Sequence, residues 1–166
     1  MKRRHLLMGG VAAAGLGACA PQPKFRTYNG PEVTYIVVNK EARSMYLLHQ
    51  DKVLKKYLID LGFAPIGDKF FEGDGRTPEG NYIIDRRNPN SQFHLSLGIS
   101  YPNARDRAEA AAIGKPPGGD IFIHGESNPF KRKRSDWTWG CIAVPNREME
   151  DVYAMVRNGT PIQINP

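Results

Sequence analysis

The sequence predicts one α+β domain, rich in strands, with a mixed or sandwich-like sheet and two principal helices packed outside it. Three observations carry that expectation. The chain has 166 residues, 40% of them hydrophobic, which suits one core rather than two. Short runs rich in Val, Ile, Tyr and Leu recur between turn residues. Only two stretches carry both a helix start and a helix stop signal.

Folding should begin near Glu32. Val33 to Val38, Ser44 to His49 and Val53 to Leu61 read as three successive strands, the second turned into the third at Gln50-Asp51-Lys52. Gly62 to Thr77, with Gly67, Gly73 and Gly75, is a long connection and a candidate substrate-facing element. Gly80 to Arg86 and Phe93 to Tyr101 read as further strands. Asn103 can cap a helix through Arg105, Asp106 and Arg107, which Gly114 and Pro116 stop. Ile121-Phe122-Ile123 is an apolar strand with His124-Gly125 at its end. Asn146 is positioned to cap a second helix, with Glu148, Glu150 and Asp151 near its positive end and Val152, Met155 and Val156 as its apolar stripe. Pro161 to Asn165 alternates as a last strand.

The N-terminus reads as an address. Lys2, Arg3 and Arg4 precede an apolar stretch from Leu6 to Ala18, too short to span a bilayer unaided. Leu16-Gly17-Ala18-Cys19 has the pattern of a lipobox, so residues 1–18 are expected to be a lipoprotein signal peptide, with Arg3-Arg4 approximating a twin-arginine export signal. Cys19 would carry the lipid and join the membrane, and residues 19–31, with Pro21, Pro23, Gly30 and Pro31, would form a tether to a domain over 32–166. Ordinary cleavage after Ala20 is the rival, with Pro21 against it. The expected location is the cell envelope, facing the periplasm, and the outer membrane if the source is Gram-negative. Loss of residues 1–18 lowers the formal net charge from +6 to +3, too small an excess to argue for nucleic acid, and acidic envelope material is the more natural partner.

With Cys19 lipidated, Cys141 stands alone in an oxidising compartment. An unpaired thiol there is either a small buried hydrophobe or a reactive group. Its setting, WTWGCIAVPN at 137–146, follows the strand-end His124 in the same half of the chain. A histidine at the lip of a strand is rigidly held and can take a thiol proton, activating the sulfur as a nucleophile. Gly140 and Cys141 could turn their amides toward a developing oxyanion. A Cys and a His alone are a weak signal.

Two blocks make the signal specific. GDGRTPEGNY at Gly73 to Tyr82 is similar to a Gly-rich loop ending in Thr-Pro-x-Gly-x-Tyr or Phe before a strand, and Ile123-His124-Gly125 is followed seventeen positions after the histidine by Cys141 within TWGCI. Together they resemble the L,D-transpeptidase catalytic-domain family, cysteine enzymes acting on peptidoglycan stem peptides. The likeness extends from about Glu32 to the end. HLSLGISYPN at His94 to Asn103 is similar to a branch that includes an amidase releasing murein lipoprotein from peptidoglycan. The resemblance implies Cys141 as nucleophile, His124 as general base and acid, Gly125 as the residue whose carbonyl orients the imidazole, and Thr138 as the Ser or Thr ahead of the Gly-Cys pair. It implies no cofactor and no metal. The chain departs from the family pattern at Trp139, which cannot serve as a second imidazole, and at Ala143, which lacks the guanidinium that could clamp a substrate carboxylate.

Trp137 and Trp139 would line a groove or pack a loop; Thr138, His94, Tyr101, Arg76 and Ser127 are further candidate substrate contacts. Each has a plainer alternative, His94 as a satisfied core histidine above all. The Lys131–Arg134 run either covers the cleft or is a solvated loop. A thioester acyl-enzyme passed to an amine makes the protein a transpeptidase; water as acceptor makes it an amidase acting on a lipoprotein link. A peptidoglycan-binding lipoprotein without turnover is the reading of another class. A papain-like protease fits less well, since Cys usually precedes His there.

Overall fold

The computed structural model describes residues 23–128 and 135–166. The expected signal peptide, the expected lipidation site Cys19 and the Lys131–Arg134 run lie outside the described residues. Among the described residues, eight strands and two helices follow one another as β1 Tyr35–Asn39, β2 Ser44–His49, β3 Lys52–Leu58, β4 Gly80–Asn88, β5 Ser96–Ile99, α1 Ala104–Ala112, β6 Phe122–His124, β7 Ile142–Ala143, α2 Asn146–Met155 and β8 Pro161–Asn165. The predicted α+β class is the observed one.

The strands form one curled mixed sheet in the order β3-β2-β1-β8-β4-β5-β6-β7. β1 to β3 are an antiparallel meander, β8 returns parallel to β1, and β6 and β7 pair in parallel. The two ends of the sheet meet just past β3, where Asp60 and Ala143 exchange both backbone hydrogen bonds at 2.9 and 2.8 Å. Period-two alternation drives this arrangement: Ile36 and Val38 of β1 and Ile162 and Ile164 of β8 all face inward. Leu97, Ile123, Ile142, the α2 residues Met149 and Val152, and Val156 just past α2 complete the core beneath β5, β6 and β7.

The differences from expectation have local causes. The predicted strand 93–101 shrinks to β5 at both ends: His94, at φ 71°, interrupts the extended run before Ser96, and the Tyr101 N–H turns back to the Ile99 carbonyl at 2.7 Å. The predicted third strand ends at Leu58, since the chain beyond it turns to bond Arg43 and then Ala143. β7 went unforeseen, because two residues carry no period of their own. Asn103 caps α1 as expected, in a reciprocal box with Asp106. Asn146 does not cap α2; it is the first helical residue, Pro145 holds the cap position, and the Asn146 side chain is used elsewhere.

Part of the segment read as a tether lies against the domain. Arg26 pairs with Glu150 at 2.6 Å and Asp151 at 2.6 Å on α2, and the Phe25 ring lies 6.4 Å from that of Tyr153. The physical reason is charge: the acidic first turns of α2 supply carboxylates that a single guanidinium can bridge.

Candidate active site

β6 ends at His124, which pairs with Ser96 of β5 on one side and Ala143 of β7 on the other, so its backbone is fixed from both flanks. The side chain is 4% exposed. Its Nδ1 lies 2.6 Å from the Gly125 carbonyl oxygen. A carbonyl only accepts, so Nδ1 donates there, and in the neutral ring Nε2 is the nitrogen left with the lone pair that a base requires. The rings of Phe93 at 4.5 Å and Trp137 at 5.6 Å hold the imidazole plane. Glu126 donates its N–H to Asn146 Oδ1 at 2.6 Å, so the first residue of α2 ties down the chain just past the histidine. Gly125 has no room for a side chain there: a Cβ would stand 2.4 Å from Asn146 Oδ1 and 2.9 Å from the Phe93 carbonyl oxygen. Gly125→Ala is therefore expected to cost about 1–3 kcal/mol of stability, read as a lowered melting temperature.

Cys141 follows Gly140, whose φ of 122° and whose close approach to the Arg76 carbonyl, 2.6 Å from any Cβ placed there, exclude other residues. The half-buried thiol donates to the Asp120 carbonyl at 3.5 Å. Burial pushes its pKa up, with the Asp120 carboxylate adding to the effect; the Phe122 amide and the Lys69 ammonium pull the other way. The resting sulfur is thus held as a thiol, and any chemistry through its thiolate needs a base nearby. Alkylation of Cys141 by iodoacetamide should accordingly show a midpoint above that of an ordinary exposed thiol; a midpoint near neutrality would contradict this.

Two clefts meet at this sulfur. The first, about 570 Å³, is walled by the loop Asn88 to Phe93, Ser96, Asp120, Phe122, His124 and Cys141. The second, about 430 Å³, runs past Cys141 to Lys69, Glu72, Gly118, Ile121 and Trp139. A thiol open to two grooves, with an oriented imidazole lining one of them, is an arrangement suited to acyl transfer through a covalent intermediate.

Residues 33–164 match the YkuD family, described as the L,D-transpeptidase catalytic domain. The chain belongs to the L,D-transpeptidase catalytic-domain family. YafK of Escherichia coli (strain K12) is 29% identical over 128 residues, covering 74% of this chain and 46% of YafK. YkuD of Bacillus licheniformis is 28% identical over 161 residues, 96% of this chain and 81% of that protein. Among solved structures, the helical cell shape determining protein Pgp2 of Campylobacter jejuni superposes with a TM-score of 0.63 at 28% identity, over 82% of this chain and 49% of Pgp2. Mycobacterium tuberculosis L,D-transpeptidase 1, at 13% identity and a TM-score of 0.53 over 81% of this chain and 62% of that one, shares the fold. The chain spans about half the length of YafK and of Pgp2.

Within this L,D-transpeptidase domain the other predicted residues separate sharply. Trp139 is 73% exposed on the second cleft, edge-on to Phe63 at 5.1 Å. Thr138 faces inward instead: its Oγ1 donates to the Cys141 carbonyl at 2.7 Å and accepts the Gly140 N–H at 3.2 Å. Thr138 thus shapes the turn under Cys141, and the Gly140 amide is turned to Thr138, which corrects the expectation that it faces an oxyanion. His94 lines neither cleft; its Nε2 pairs with the buried Glu150 at 3.0 Å. Tyr101 is buried, donating to the Pro117 carbonyl at 2.8 Å, and Arg76 donates to the Asp68 carbonyl at 3.2 Å. Ser127 is exposed outside both linings. Phe93, Asp120 and Lys69 also line the clefts, and none of them stands out in the sequence as a site residue. Phe93 adjoins the singled-out His94, and Asp120 follows a Gly-Gly pair just before the histidine strand, so both were within reach; nothing local marks Lys69.

Proposed function

We propose that the protein is a peptidoglycan acyltransferase of the L,D-transpeptidase type, with Cys141 as nucleophile and His124 as general base and acid. The observation that carries this reading is the sulfur at the junction of two clefts, one of which alone holds the oriented imidazole. The Sγ attacks a stem-peptide carbonyl as its proton passes to Nε2 of His124, and a carbon–sulfur bond forms. The carbon–nitrogen bond then breaks, the leaving amine takes the proton from His124, and a thioester remains. An acceptor amine reverses this path: it gives a proton to His124, attacks the thioester, and releases the sulfur. By microscopic reversibility leaving and entering amines share the His124 cleft, so the acyl portion occupies the second cleft, beside Trp139.

Water entering in place of the amine gives release instead of a cross-link, and the likeness of His94–Asn103 to a lipoprotein-releasing branch supports that as the second reading. Incubation with tetrapeptide muropeptides and with lipoprotein-linked muropeptides, followed by mass analysis of products, distinguishes them. Cross-linked dimers identify an amine acceptor; free lipoprotein identifies water; the absence of both products would reject the proposal. The proposed setting is the cell envelope, with export by residues 1–18 and anchorage through Cys19, supported by the lipobox-like Leu16–Cys19 stretch.

A further inference from the structure

Lys69 forms a buried charge pair on the second cleft that the steps above leave without a role. It is 3% exposed, and its Nζ donates to Asp74 Oδ1 at 2.8 Å and to the Phe71 carbonyl at 3.1 Å. Asp74 also accepts the backbone N–H groups of Phe70, Phe71 and Arg76, which ties residues 69–76 into one knot. Taking an ammonium out of water costs several kcal/mol before its partner offsets the loss. A loop that needed only shape could use an apolar side chain there.

The other charged or titratable groups around the sulfur are few among the described residues. Asp120 sits on the rim shared by both clefts and is held by Arg86 at 3.1 Å; Glu72 lines the second cleft; His124 lines the first. Lys69 is the cation in the lining of the second cleft, and Cys141 lines the same cleft.

We propose that Lys69 is a positioning residue for the acyl transfer: its ammonium, held by Asp74, supports through space the negative charge that moves between Cys141 Sγ and the oxygen of the bound acyl carbonyl. This rests on Cys141 being the nucleophile. The direction of its effect on the thiol, opposed to burial and to Asp120, agrees. The carbonyl oxygen gains its charge in the same cleft, so one fixed cation serves both the attacking thiolate and the tetrahedral intermediate.

The test is the pH profile of Cys141 alkylation by iodoacetamide in the full chain, with melting temperature recorded alongside. Lys69→Met should move the midpoint upward and slow alkylation at about pH 7.5 by roughly three- to tenfold. Because Lys69→Met strands Asp74, the neutral pair Lys69→Gln with Asp74→Asn, which can still hydrogen-bond, provides a second variant and should shift the same way. Lys69→Arg should return the profile toward that of the unmodified protein. An unchanged midpoint in either folded neutral variant would overturn the proposal, as would an Arg variant shifted as far as the Met one. Failure of the transferase reading is a separate result, since it would appear as muropeptide turnover surviving Cys141→Ser while the alkylation profiles stood.

Discussion

Cys141→Ser is expected to abolish thioester formation and to reduce muropeptide turnover by at least about 10³-fold, a loss of roughly 4 kcal/mol of transition-state stabilisation. The substitution should leave the fold intact, because the thiol is half-buried and the hydroxyl that replaces it can still donate toward the Asp120 carbonyl, 3.5 Å from the sulfur. A serine hydroxyl has a far higher pKa than a thiol and is a far weaker nucleophile toward the same base. Turnover assayed with melting temperature separates chemistry from folding. A peptidoglycan-binding protein without turnover would behave identically before and after the change.

His124→Gln is expected to reduce turnover by about 10²- to 10⁴-fold, the range for removal of a general base. Glutamine can still hydrogen-bond but cannot take the thiol proton. The Nδ1 contact to Gly125 and the flanking rings of Phe93 and Trp137 hold the side chain, so binding of substrate in the first cleft should survive while kcat falls. A parallel fall in substrate affinity with kcat preserved would instead mean that His124 only shapes the cleft.

The histidine and the cysteine were legible in the sequence because each sits in a short motif whose residue types have a local physical purpose. Gly125 is small because Asn146 and Phe93 crowd it, and Gly140 is small because Arg76 runs beneath it. The strands with clean alternation, such as Pro161–Asn165, were legible for the same reason. What escaped was whatever depends on distant partners. The pairing of Ile123 with Ile142 creates β7 and brings the sulfur beside the histidine strand, yet neither residue signals it locally. Asn146 has the composition of a cap but is recruited by Glu126, twenty residues earlier. His94 was equally suited to a cleft or to a buried partner, and Glu150, fifty-six residues away, decides the matter. Arg26 lies in a Pro-containing segment that looks like a linker, and only the acidic turns of α2 show why it docks.

Passage of acyl groups through the sulfur of Cys141 can be read by acid-quenching the protein with a tetrapeptide muropeptide and mapping the adduct by mass spectrometry. An acyl mass is expected on the peptide containing Cys141, labile to hydroxylamine as a thioester should be and missing from the Ser variant. Turnover accompanied by an adduct on another residue, or product formed at an unchanged rate after Cys141 has been replaced, would contradict it.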